Sequence, residues 1–389
     1  MKKKLRSLLR IVFGRTAFML LFIMLQLAFF FGIVHWISSE YSLISYAGLH
    51  LLGTLTCIYI YNKPENPSFK LSWIIPVLAF PVFGTLLYLY VELEISGRII
   101  SKRANRLVKE SRIYLQQDQK VLSHLENEDD RLSGLVNYVG EFGGFPIYEN
   151  YTAEYFPSGE QKFERLKEEL EKARKFIFME YFIVEHGVMW DTILEILERK
   201  AKEGVEVRFM YDGMCSIALL PYHYPKILEA KGIHCHAFAP IKPALSTYQN
   251  NRDHRKIVVI DGHTAFTGGV NLADEYINVK ERFGYWKDVA VMIKGEAVKN
   301  FTIMFLQMWN IWEKTPLDYE KYLSHDLPQQ IEGRRSEGFV LPYGDSPLDH
   351  EPVGKMVYLD ILNTAKKYVH IMTPYLILDD ETINALRYA

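Results

Sequence analysis

The sequence predicts an α/β protein: amino-terminal transmembrane helices, then a domain on a mixed, mostly parallel sheet with helices on both faces, then the truncated start of a second such domain. Three observations carry this. Three apolar runs without charge fall within the first 91 residues, helix and strand patterns alternate from residue 151, and the last stretch echoes the start of that alternation.

The membrane region is set at residues 1–95. From Thr16 to Ser39 there is no Asp, Glu, Lys or Arg, a run long enough for a hydrocarbon core of about 30 Å. It exceeds a signal peptide's apolar region and lacks a small-residue cleavage site, so it is read as retained. Charge-free runs recur at Tyr41–Asn62 and Leu71–Val91, giving spans at 16–38, 42–61 and 71–91. The third holds Pro76, Pro81 and Gly84, which a membrane helix tolerates, and Trp73, Tyr88 and Tyr90 read as interfacial anchors. Lys2, Lys3, Lys4, Arg6 and Arg10 precede the first span, while Arg98, Lys102, Arg103, Arg106, Lys109 and Arg112 follow the third. Both basic flanks ask to be cytoplasmic, so one segment is re-entrant or one flank is overruled. The reading favoured is a multi-pass protein of the cell membrane with its large domain on the cytoplasmic side and residues 96–150 as a basic juxtamembrane linker.

Residues 151–315 form the first α/β domain. "FERLKEELEKA" puts Phe163, Leu166, Leu170 and Ala173 on one helical face, and "KFIFMEYFIV" reads as a buried strand. Then "MWDTILEILERKAKEG" is a helix ended by Gly204, "VEVRFMYDG" a strand, "PYHYPKILEAKG" a helix and "IHCHAFAP" a strand. That βαβ series predicts the mostly parallel sheet. His234 and His236 share a strand face without ligand-spaced carboxylates or thiols nearby, and read as strand residues, not metal ligands. After a connection at 316–345, residues 346–389 begin again. In "TAKKYVHIMTPYLILDDETINALRYA", Ala365, Lys367, Tyr368 and Val369 line up with Ala173, Lys175, Phe176 and Ile177. The implied period is about 190 residues.

Composition excludes some classes. With 389 residues and 49% hydrophobic content the chain can build real cores, and 45 basic against 47 acidic residues leave no global attraction for nucleic acid. Cys57, Cys215 and Cys235 are too few and too scattered for a disulfide framework or a zinc site.

The chemistry concentrates in "DHRKIVVIDG", residues 253–262. On a strand, His254 and Lys256 project to one face, solvent-facing at the strand's mouth, and Ile257 to Ile260 fill its buried part. Asp261-Gly262 signals a hairpin turn. Gly268 and Gly269 allow close backbone approach, and Asn271 offers an amide. Together they make an anion site containing a nucleophile: a neutral imidazole can attack phosphorus while the ammonium and amide hold its oxygens.

Taken with "RDHRKIVVIDGHTAFTGGVNLADEY", "YWKDVAVMIKGEAVKNFTIMFLQMWN", "YDG" and "SWIIPVLAFPVFGTLLYLY", this motif resembles the phospholipase D superfamily, whose signature is H-x-K-x4-D followed by Gly-Gly-x-Asn, and within it the bacterial cardiolipin synthases. The resemblance runs from about residue 40 to the end. It implies that His254 is the phosphatidyl-accepting nucleophile, Lys256 a phosphate ligand, Asp261 the motif's supporting carboxylate, Asn271 a phosphate-contacting amide and Asp288 the carboxylate that orients the histidine. Asp261 reads equally as a turn-shaping residue, and Asp288 as a strand-start charge. The implied reaction moves a phosphatidyl group between two phosphatidylglycerol molecules, giving cardiolipin and glycerol with no cofactor or obligatory metal. The partners implied are phosphatidylglycerol and anionic membrane lipid.

One departure stands beside the match. The family carries two motif copies, one attacking and one protonating the leaving alkoxide; a second copy is expected here near position 445. Loss of a general acid removes about 10²- to 10⁴-fold in rate, so residues 1–389 alone are expected to be inactive. Two other readings remain: a single-motif phosphodiesterase or nuclease acting as a homodimer, and a catalytically dead membrane protein that binds anionic lipid.

Overall fold

The computed structural model describes residues 39–64, 66–92, 95–214, 218–239, 252–323, 336–346 and 351–389, together with Met24, Leu27, Ala28, Phe31 and Gly32. The described residues fall into two compact units that divide between Ile99 and Ile100.

The first unit contains helices α1 (Ser39–Tyr61), α2 (Pro67–Ala79) and α3 (Pro81–Glu92). Asn66 caps α2 by accepting from the Ser68 N–H at 2.9 Å, with Pro67 next in line. At the other end Pro81 pushes Phe80 out of the helical region, to φ −137° and ψ 76°. The expected third span is therefore two helices of 13 and 12 residues, each about 18–20 Å long against a core of about 30 Å. Helix α1 has the length, but Ser42, Ser45, His50, Thr54 and Thr56 dilute it. Among the described residues no helix is long and apolar enough to cross a membrane, so the spans expected at 42–61 and 71–91 are not confirmed. The one at 16–38 falls almost wholly outside the described residues. Tyr88, expected as an interfacial anchor, is instead buried with Ile60 and Val77, edge-on to Trp73 at 5.5 Å. A Cβ on Gly84 would collide with the Pro76 carbonyl, so α2 and α3 meet backbone to backbone there.

The second unit is built on seven strands: β1 (Tyr151–Phe156), β2 (Phe176–Tyr181), β3 (Glu206–Asp212), β4 (Ile233–Phe238), β5 (Ile257–Ile260), β6 (Thr264–Gly268) and β7 (Ala290–Gly295), in the order β1-β7-β6-β5-β2-β3-β4. The sheet is mixed, as expected, but not mostly parallel: β2–β3 and β3–β4 are parallel and the other four junctions antiparallel. A parallel neighbour needs a crossover helix, and only α7 (Val188–Lys202) and α8 (Tyr224–Glu229) supply one between adjacent strands. The Asp261-Gly262 turn closes β5 and β6 as a hairpin, both residues at positive φ.

Helices cover both faces. Leu166 and Leu170 of α6 (Gly159–Glu171) and Trp190, Ile193 and Leu197 of α7 fill the core on one side. On the other lies α9 (Val298–Asn310), whose Phe305 stacks on Phe178 at 4.6 Å. From Ile100 onward the stretch expected as a linker folds into this unit, through the rest of α4 (Ile95–Ser111) and α5 (Gln119–Tyr138). Leu107 is fully buried, and Arg103 donates to the Asn310 carbonyl at 2.9 Å. His236 lies 3.2 Å from a Glu313 carboxylate oxygen and 4.2 Å from the Trp309 ring.

Toward the end come α10 (Val353–Thr364) and α11 (Asp380–Tyr388), joined by the Lys355–Asp379 ion pair. The strand expected between them from Tyr368 does not form. Met372 is 88% exposed where its β2 equivalent, Glu180, is fully buried, because among the described residues no neighbouring strand pairs with this segment.

Candidate active site

The period of β5 decides which side chains meet. Val258 and Ile260 point into the core shared with α6 and α7; their alternation carries Lys256 and His254 to that same face beyond the strand's start. His254 is exposed, but Lys256, expected to face solvent, is only 6% exposed. Its ammonium donates to the His254 carbonyl at 2.6 Å and lies 5.4 Å from the centre of the Phe182 ring. The same ring sits 4.6 Å from the His254 imidazole, and Tyr375 approaches the imidazole edge-on at 6.1 Å. A buried ammonium thus stands beside an exposed imidazole, with an aromatic wall against both.

The His254 pKa is lowered, first by partial burial and then by the Lys256 charge, with the Asp212 carboxylate acting against both. The imidazole is accordingly neutral, with its lone pair free for attack, at and somewhat below neutral pH. Asp212 was not singled out from the sequence, although it stands in the quoted "YDG". It is fully buried at the end of β3 and accepts from the Met214 and Asp253 N–H groups and from Arg252.

Asn271 is buried, its carbonyl accepting from the Ile183 N–H at 2.9 Å and its amide donating to the Tyr276 hydroxyl at 2.8 Å. It fixes the chain just after Phe182, the wall of the pair. Asp288 accepts from the Val289 N–H, and a Cβ on Gly269 would collide with its carboxylate. Its charge acts on Tyr276 and on Lys162, whose amine burial pulls down to about 7. Asp288 therefore belongs to the network behind the pair, through Tyr276 and Asn271, and Gly269, one of the two glycines read as close-approach positions, is what admits it.

Asp261 is placed apart from the others. It stands beyond the opposite end of β5 from His254, and its carboxylate accepts from the N–H groups of Arg174, Lys175 and Phe176 at 2.7–2.8 Å. Of the two readings its sequence position allows, the geometry is that of the turn-shaping residue, tying the hairpin to the start of β2.

Two further groups escaped the sequence reading. Glu180 and Asp253 lie under the pair on the opposite face of the sheet, 0% and 3% exposed. Burial raises both carboxyl pKa values; their mutual charge raises that of Glu180 further, and Arg255 opposes this. "MEY" inside an apolar strand carried no signal for this.

Among the described residues no group of His, Cys, Asp and Glu could hold a metal ion. Chemically, the arrangement can hold an anionic group over the Lys256 ammonium and bring a neutral nucleophile to it.

Residues 166–309 match the family described as "Cardiolipin synthase, PLD-like domain", and residues 51–91 the one described as "Phospholipase_D-nuclease N-terminal". The chain is 31% identical over 354 residues to a protein named cardiolipin synthase from Alkalihalophilus pseudofirmus, covering 88% of this chain and 68% of that one. It is 29% identical over 363 residues to another of that name from Halalkalibacterium halodurans, covering 91% and 69%. An uncharacterised protein of Streptococcus mutans serotype c is 49% identical over 334 residues, covering 85% and 71%.

Proposed function

This chain belongs to the cardiolipin synthase family of the phospholipase D superfamily, and from that premise we propose that it transfers a phosphatidyl group from one phosphatidylglycerol to the hydroxyl of another, giving cardiolipin and glycerol. The His254 imidazole attacks phosphorus, the bond to the departing glycerol breaks, and a phosphatidyl-histidine forms. The second hydroxyl then attacks, the phosphorus–nitrogen bond breaks, and the imidazole is regenerated. Lys256 holds a non-bridging oxygen, while Asn271 and Asp288 keep the surrounding network in place. The observation that supports this most is the exposed imidazole, held neutral beside a buried ammonium.

The departing glyceroxide needs a proton. Residues 1–389 contain one H-x-K-x4-D motif, so the proton donor is a group other than a second histidine of that motif within them. The lipid substrate sets the location at the cell membrane, and the basic residues from Arg98 to Arg112 favour its cytoplasmic face. Exposed Leu71, Ile75 and Leu78 on α2, Phe80 at the bend, and Leu86 and Leu89 on α3 suit a hairpin that enters the bilayer and returns without crossing.

The test is lipid chromatography of membranes from cells without other cardiolipin synthases, expressing the protein from its complete reading frame. Cardiolipin should form with the parent protein and not with His254→Ala. Undiminished cardiolipin from the alanine variant removes His254 from the mechanism.

A further inference from the structure

We infer that Glu180 is a positioning residue for the nucleophile, acting through Asp253: the two buried carboxyls share one proton, and that hydrogen bond sets the backbone from which His254 projects. The inference rests on the assignment of His254 as nucleophile.

Four observations meet here. Glu180 is fully buried on β2, opposite Ile257 of β5, and neither of its oxygens has a donor among the described groups. Asp253 is 3% exposed, directly precedes His254, and has one oxygen likewise without a donor. The two carboxyls are close enough for a mutual hydrogen bond. Two ionised carboxylates cannot share such a space, whereas one proton between them gives each an internal partner.

The surroundings fix the charge state. Arg255 faces both groups; its N–H bonds Asp253 at 3.3 Å and its guanidinium is also tied to the Asp345 carbonyl. The fully buried Asp212 faces Asp253 from β3, accepting from its N–H at 3.2 Å, and carries Arg252. One proton on the Glu180–Asp253 pair leaves a single negative charge opposite Arg255. Asp253 is then held twice, by its N–H to Asp212 and by its carboxyl to Glu180, and the next residue is the nucleophile. Asp212, the other holder, also acts on the imidazole itself. Loss of the shared proton would set two charges against each other under His254 and loosen that hold.

The experiment compares Glu180→Gln and Glu180→Ala in the protein expressed from its complete reading frame, reading kcat, KM and the pH profile of phosphatidyl transfer beside His254→Ala, with folding checked by circular dichroism. The amide of Glu180→Gln donates to Asp253 without needing a proton, so kcat at neutral pH should stay within about threefold and the alkaline limb of the profile should move to higher pH. Glu180→Ala, with Asp253 unheld, should lose about tenfold or more in kcat with KM little changed, the signature of a displaced nucleophile. A Glu180→Gln profile superimposing on the parent's, or a folded Glu180→Ala with parental kcat, overturns the inference while leaving the function standing. Full turnover by His254→Ala overturns the function itself.

Discussion

In the proposed reaction His254 attacks only while its imidazole is neutral, so the charges around it set the acid limit. Lys256 lowers its pKa and Asp212 raises it. Exchanging them should therefore move the acid limb in opposite directions: Lys256→Met to higher pH, Asp212→Asn to lower. Lys256→Met should also lose about 10²-fold or more in rate, since the ammonium that steadies the phosphoryl oxygens goes with it. A pH–rate series on the two variants checks both signs; parallel shifts would mean that the electrostatics assigned to the pair are wrong. Glu180 and Asp253 give a second, thermodynamic sign. Their carboxyl pKa values are raised in the fold, so as pH climbs above about 4 the unfolded chain releases protons that the native state retains, and stability falls. Glu180→Gln should therefore melt higher than the parent at pH 7 to 8, with the gap closing toward pH 4, as read by scanning fluorimetry. These carboxyls could not be read from the sequence as a pair, because Glu180 on β2 and Asp253 ahead of β5 are distant in the chain. His254 and Lys256 could, because a strand's period of two places them on one face whatever the rest of the fold does.

At the scale of elements, the β5–β6 hairpin was legible from Asp261-Gly262, but the work of the Asp261 carboxylate was not: its three donors lie on the residues leading into β2. Asp261→Asn keeps the turn's tolerance of positive φ and removes the charge. It should cost about 1–3 kcal/mol in urea unfolding while leaving turnover per folded molecule unchanged. A loss of turnover without a loss of stability would restore Asp261 to the chemistry. The misjudged strand direction has the same origin. Local alternation identifies strands, whereas β5 inserting beside β2 is a non-local pairing that no window of sequence contains. In the first unit Gly84 is the counterpart: Gly84→Val puts a side chain into the Pro76 carbonyl and the Val77 backbone, an overpacking cost of about 1–3 kcal/mol that should show as a lower melting temperature.

For the whole molecule, the apolar amino-terminal region was plain in composition, yet its helices were not. Hydropathy counts residues, and Pro81 divides a run that a window treats as continuous. The family resemblance was legible because its motif is compact: residues 253–271 hold the nucleophile, the phosphate ligand, the turn and the amide in one stretch. The groups that support them are scattered over β2, β3 and the segment after Tyr285, and only the fold gathers them. The proposed reaction requires phosphorus to become covalently bound to His254 during turnover. Mass spectrometry of the protein, quenched while converting phosphatidylglycerol, should find a phosphatidyl adduct on the peptide containing His254 and none in His254→Ala. Cardiolipin production with no adduct on that peptide, or with the adduct on another residue, would contradict it.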